Sequence, residues 1–159
     1  DFQVHSIIMG IYCPALCDLM TCDSGFKESG NKKYILKGET VAEELRKLLR
    51  IIYRDVTIND DIAADILPLV NQYGVTKILN EIDEHFQSEK CKFDEITKFE
   101  QALAYRMHGT MHSLARTCNS TLLQQMANNP LLDTNLKEHM DLQRNLLSAL
   151  IKKKKEESG

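Results

Sequence analysis

The feature that most constrains this chain is a short run near its centre. Thr40-Val41-Ala42-Glu43 is followed by Leu45, Leu48, Leu49 and Ile52. A Thr hydroxyl can accept one of the backbone N–H groups left without a partner at a helix start, and a Glu three residues on can reach back to close the pair. Behind it the four aliphatic residues fall at i, i+3, i+4 and i+7, while Glu43, Glu44, Arg46, Lys47 and Arg50 take the other side. This is an amphipathic helix, expected over Thr40–Arg54, that buries its leucines and exposes Glu44 and Lys47. Such a stripe needs a cover. With 43% hydrophobic and 27% charged residues in 159, the chain can supply one as a single domain, or as a small domain with a helical appendage.

Other segments read the same way. Phe2 to Tyr12 is an apolar stretch, expected as a strand end running into a buried helix. Pro14 suits the first turn of a second helix holding Leu16, Leu19 and Met20. Two glycines and several polar residues mark a loop over Cys22–Asn31, and Tyr34-Ile35-Leu36 reads as a short strand. Asn59-Asp60-Asp61 can cap a helix with the stripe Ile62, Ile66, Leu69, Val70 and Tyr73, bent at Pro68 and ended by Gly74. The next helix carries Val75, Ile78, Leu79, Ile82 and Phe86. Beyond a connection at Ser88-Glu89-Lys90, apolar positions recur at Phe93, Ile96, Leu103, Met107, Leu114, Cys118, Leu122 and Met126. Asn128-Asn129-Pro130 interrupts them, and a last helix holds Leu136, Met140, Leu147, Leu150 and Ile151. Leu69-Val70, Tyr73, Ile78 and Ile82 are echoed by Leu103-Ala104, Met107, Leu114 and Cys118, as stacked helix pairs would be.

Little here points to catalysis. His108 and His112 have a metal-capable i, i+4 spacing, but Gly109 stands where a zinc-protease motif needs Glu. We expect no metal there. Cys13 and Cys17 read as core thiols, and no His is singled out as a base for either. Glu43-Glu44 and Asp60-Asp61 sit at helix starts, where the helix dipole favours negative charge. There is no glycine-rich phosphate loop, and no cofactor is expected. The run Lys152–Lys155 is followed by Glu156 and Glu157, and reads as a solvated tail. The net charge of −3 is interspersed, which argues against nucleic acid as a partner. No apolar run reaches membrane-spanning length, no signal peptide opens the chain, and the five cysteines follow no disulfide framework. A cytoplasmic or nuclear location is expected, and Asn119-Ser120-Thr121 is set aside as a chance glycosylation pattern. The first residue is Asp1, so the chain is expected to be a piece of something longer.

Four segments together resemble a known family. Phe2-Gln3-Val4-His5-Ser6-Ile7-Ile8-Met9 with Cys13-Pro14-Ala15-Leu16 is similar to the F-x-x-H-x-x-x-L … S-P-x-F opening of BTB/POZ domains. Phe26-Lys27-Glu28-Ser29 resembles their hydrophobic-x-E-S segment. Leu48-Leu49-Arg50-Ile51-Ile52-Tyr53 resembles L-L-x-x-I-Y, and Ile62 to Val75 resembles A-x-x-L-L-x-x-A-x-x-Y-x-L. The chain departs from the family at Cys13 and Leu16, and Arg54-Asp55 replaces the usual Thr-Gly. The strands that normally precede Phe2 are absent, and the loop before Phe26 looks two residues longer.

The resemblance implies a mainly α fold with a small β component: a BTB/POZ-like helical cluster beside a short sheet, followed by a helical extension. It implies a BTB-like domain over 1–87, a paired-helix extension over 88–151 like those behind domains of MATH-BTB type, and a disordered charged tail over 152–159. It also implies a non-enzymatic interaction module. In such families the first helix forms a homodimer, here through Ile7, Ile8 and Ile11, which are too many large aliphatics for one inward stripe. The hydrophobic-x-Glu segment, here Phe26, Lys27 and Glu28, holds a cullin scaffold. The protein would then be a substrate adaptor of a ubiquitin ligase, its substrate protein unspecified. The alternative is a self-assembling scaffold or transcriptional module that binds no cullin.

Overall fold

A computed structural model describes residues 4–14, 41–130, 144 and 148–156. It divides into two compact units, Asp1–Ile82 and Asp83–Gly159. The expected short sheet is not seen, because all regular structure among the described residues is helical. His5, expected in a strand end, does have extended backbone (φ −84°, ψ 123°). Its N–H, however, donates to the Tyr53 hydroxyl at 2.8 Å instead of to a neighbouring strand. The fold is therefore mainly α. Tyr34–Leu36, the other expected strand, lies outside the described residues.

In the first unit, α1 covers Ser6–Tyr12, α2 Val41–Ile52 and α3 Asp60–Gln72, and α4, Thr76–Gln87, begins there. Thr40 lies outside the described residues, and Glu43 and Glu44 occupy the first turn of α2. Leu48, Leu49, Ile51 and Ile52 are buried and Leu45 is half-buried. The stripe is thus wider than its i, i+3, i+4 pattern, because Ile51 joins it. Glu44 and Lys47 are only partly exposed, and Lys47 pairs with Asp65 of α3, against which α2 packs. The Asn59 side chain accepts the Ile62 N–H at 2.9 Å and starts α3 as expected. Ala63, Ile66, Leu67, Leu69 and Val70 face inward. Pro68 is exposed and the helix runs through it, the loss of one N–H falling on the solvent side.

Two ends in this unit have the same geometry. After α3, Gly74 takes φ +61°, its N–H donates to the Asn71 carbonyl, and the Val75 N–H donates to that of Val70 at 2.9 Å. After α2, Arg54 takes φ +62°, its N–H donates to Ile51, and the Asp55 N–H donates to Arg50 at 2.8 Å. Both are Schellman ends, which satisfy the last carbonyls of a helix through one left-handed residue. Gly74 occupies that conformation without strain; Arg54 does not.

The second unit holds α5, Glu95–Tyr105, α6, His108–Thr117, and α7, Ser120–Ala127, with α5 packed on both others. Asp94 caps α5, accepting N–H groups from Ile96 and Thr97 at 3.0 Å and the Thr97 hydroxyl at 2.7 Å. Asn119 caps α7 by accepting the Leu122 N–H at 2.9 Å. Each cap restarts the helical register. Phe99 and Leu123 are therefore fully buried, whereas the expected Ile96 and Leu122 are only half-buried.

The cap of α6 comes from elsewhere. The Asp83 carboxylate accepts the N–H groups of Gly109 and Thr110, at 2.9 and 2.7 Å, and the Thr110 hydroxyl at 2.6 Å. Gly109 is explained by the same approach. A Cβ there would run into the Gln87 amide and lie 2.9 Å from the Asp83 carboxylate. Residues 148–156 are helical, including 152–156, which were expected as disordered tail. Lys153 donates to the Cys118 carbonyl at 2.5 Å, at the end of α6, where a cation complements the helix dipole.

Leu48→Ala should destabilise the first unit by about 2–5 kcal/mol in denaturant unfolding, as truncation of a fully buried leucine does. Asp94→Ala should cost about 1 kcal/mol at neutral pH. The N–H and hydroxyl of Thr97, then that of the Ile96 backbone, hold the Asp94 carboxyl below its usual value. Its folded pKa is depressed, so its contribution is complete above the unfolded carboxylate value of about 3.9 and is lost as pH falls through the folded value. Unfolding curves of wild type and Asp94→Ala should therefore converge in acid.

Candidate interaction surface

The described catalytic candidates do not assemble into a catalytic site. His108 and His112 are both exposed on α6. Cys13 is fully buried, and burial pushes its thiol up to about 11, which keeps it protonated at neutral pH. Burial also raises the Cys118 thiol, and Cys91 is buried as well. Cys17 and Cys22 lie outside the described residues. Asp60 and Asp61 sit in the first turn of α3, as a capping role requires. Asn119 of the glycosylation-like triplet is a helix cap. No helix among the described residues is long and apolar enough to cross a membrane.

What stands out instead is α1. Its sequence, SIIMGIY, carries no charge. Met9 and Cys13, four residues apart, are buried at 3% and 0% exposure, while Ile7 and Ile11, also four apart, are 78% and 63% exposed. Ile8 is half-buried. The helix therefore has an inner side at Met9, continued by its C-cap Cys13, and an outer face of two isoleucines. Ile7 and Ile11 thus lie off the inward stripe, as the excess of large aliphatics in this segment predicts, whereas Ile8 does not.

Polar contacts meet α1 at each end. At its start, the Tyr53 hydroxyl accepts the His5 backbone N–H and lies 3.1 Å from His5 Nδ1, with the rings 5.8 Å apart. At its last residue, the Tyr12 hydroxyl lies 3.5 Å from Arg54 Nη2, and the Lys77 ammonium sits 4.6 Å from the Tyr12 ring centroid. Lys77, then Arg54, draws the Tyr12 phenol below its ordinary value. Arg54 is held by both oxygens of Glu81, at 2.8 Å each, and Glu81 with Tyr12 raises its pKa further. None of Tyr12, Arg54, Lys77 and Glu81 was identified as a site residue from sequence. The one signal for them is the departure of Arg54-Asp55 from Thr-Gly. Phe26, Lys27 and Glu28, the expected cullin contact, lie outside the described residues.

A protein-family comparison matches residues 1–90 to the BTB/POZ domain. No curated protein and no solved structure matches significantly. The match spans more than half of the chain, and the chain belongs to the BTB/POZ domain family.

Proposed function

We propose that this chain is a self-associating adaptor: a second copy docks on α1, while Phe26, Lys27 and Glu28 engage a cullin scaffold and so bring a substrate protein to a ubiquitin ligase. BTB/POZ domains are protein-interaction modules. The observation that carries the reading is the outward pair Ile7 and Ile11 on an uncharged helix. A two-fold contact sets the same surface against itself. A charged face would meet its own charge there, and this one meets only aliphatic groups. Burying two isoleucines contributes on the order of 1.5–3 kcal/mol each.

The cullin contact has a different support. Phe26-Lys27-Glu28-Ser29 resembles the family's hydrophobic-x-E-S segment and has glycines and polar residues on either side in sequence. A Phe in such a segment can fill a partner's pocket, and Glu28 can meet a basic residue at its rim. The alternative, self-assembly without a cullin, rests on α1 alone.

Sedimentation at tens of micromolar should find a dimer for the wild type. Ile7→Ser combined with Ile11→Ser should weaken it at least tenfold, about 1.4 kcal/mol, with helicity unchanged. A monomeric wild type overturns the self-association half. In calorimetry against a cullin, Phe26→Ala should lose about thirtyfold in affinity or more, from an anchor worth about 2 kcal/mol. Glu28→Ala should lose less and alter the salt dependence. If the wild type binds no cullin, the scaffold alternative stands in its place.

A further inference from the structure

We infer that the turn Tyr53–Arg54 is a clamp that fixes the pose of α1 and thereby controls self-association; the second clause rests on the self-association reading above. Seven residues are too few to hold a helix in water alone, and α1 has no side-chain cap at His5 and no charge at either end to support it. Its geometry must be imposed from outside. Met9 and Cys13 anchor one line of the helix, about which it could still roll.

The turn after α2 removes that freedom. Two adjacent residues reach opposite ends of α1. Tyr53 holds the His5 N–H at 2.8 Å, and Arg54 reaches the Tyr12 hydroxyl at 3.5 Å. Arg54 does not swing freely, because Glu81 grips it with two 2.8 Å bonds, and a planar guanidinium held by a carboxylate in this way has a fixed direction. The Lys77 ammonium against the Tyr12 ring closes the other side.

The backbone adds an independent reason. Arg54 has φ +62°, where glycine is at ease and a residue with a Cβ is strained. The equivalent position after α3 is Gly74. A long cationic side chain at a position that favours glycine points to a task for the side chain, and its contacts are Glu81 and Tyr12. Tyr53 and Arg54 are positioning residues: they act on a partner only through the angle at which Ile7 and Ile11 are presented.

The test uses the whole chain. Arg54→Gly removes the guanidinium and keeps, or relaxes, the turn. Tyr53→Phe removes one hydroxyl, and Arg54→Lys keeps a cation opposite Glu81. Amide exchange is read at Met9 and Cys13, whose N–H groups donate to the His5 and Met9 carbonyls. It should accelerate about tenfold in Arg54→Gly and Tyr53→Phe and less in Arg54→Lys, with exchange in α3 unchanged. The dimer dissociation constant should rise in the same order, about tenfold for the first two, with the thermal midpoint moving by only a few degrees. Unchanged exchange at Met9 and Cys13 in both variants overturns the clamp, whatever the dimer does. Faster exchange with an unchanged dissociation constant overturns its control of the dimer. A monomeric wild type removes the self-association reading and that control with it, while exchange still decides whether the turn holds the helix.

Discussion

A helix of any length leaves its first N–H groups and last carbonyls without partners inside itself, and in a chain of short helices this demand is met again and again. Here the described helices average about three turns, so helix ends make up much of the structure. Asn59, Asp94 and Asn119 answer it locally, each accepting an N–H two or three residues on. Gly74 and Arg54 answer it by reversing the backbone, and Arg106, at φ +58°, does the same after α5, where the Met107 N–H returns to the Ala102 carbonyl. Asp83 and Lys153 answer it from outside the helix they complete. The side chains that do this also set the register of the apolar stripes, and so decide which residues reach the core.

That division explains what could be read from the sequence. Asn59 and Gly74 were legible because the residue type and its place next to an apolar stripe both carry the signal. The buried faces of α2, α3 and α4 followed, apart from Leu45, Ile62, Tyr73 and Leu79, which are only half-covered. Past Gln87, Leu103, Met107, Leu114, Cys118 and Met126 are buried as expected, whereas Phe93, Ile96 and Leu122 are only half-buried. Continuous periodicity put Leu122 inside, but the cap at Asn119 turns the helix so that Leu123 is buried. Phe99 escaped notice for the same reason. Arg54 and Arg106 carry no local mark of a left-handed conformation, and nothing beside Gly109 in the sequence marks the carboxylate it admits, which lies 26 residues earlier. The short sheet rested on the β-prone Tyr34-Ile35-Leu36, on a strand end before the first helix and on the family resemblance, and no such pairing holds His5, whose N–H is taken by a side chain.

The opening helix shows how one repeat spacing can serve two ends. Residues four apart lie on one face of a helix, so Met9 with Cys13 and Ile7 with Ile11 form two parallel lines, one inward and one outward. The family's Ser before Pro is Cys13 here, and its complete burial suits a residue that behaves as a small hydrophobe. A polar hydroxyl in its place would need a partner of its own. A cysteine here fits the inner line and leaves the outer pair, Ile7 and Ile11, unaltered, so the two lines can vary separately.

The cap that Asp83 provides for α6 bears on how such a chain could be cut and recombined. The family match ends at residue 90, and a division after Gln87 looks natural from sequence. A segment transplanted from residue 88 onward would arrive without the carboxylate that closes the N-terminus of α6. Thr110, 1% exposed, would keep a buried hydroxyl and N–H with no acceptor from Asp83. It would also lose Phe86, whose ring meets Phe93 edge-on at 5.4 Å. The end of the family match, at residue 90, and the division between the two compact units, after Ile82, thus fall at different places. Any exchange of this extension between proteins has to carry the last turn of α4 as part of the cargo.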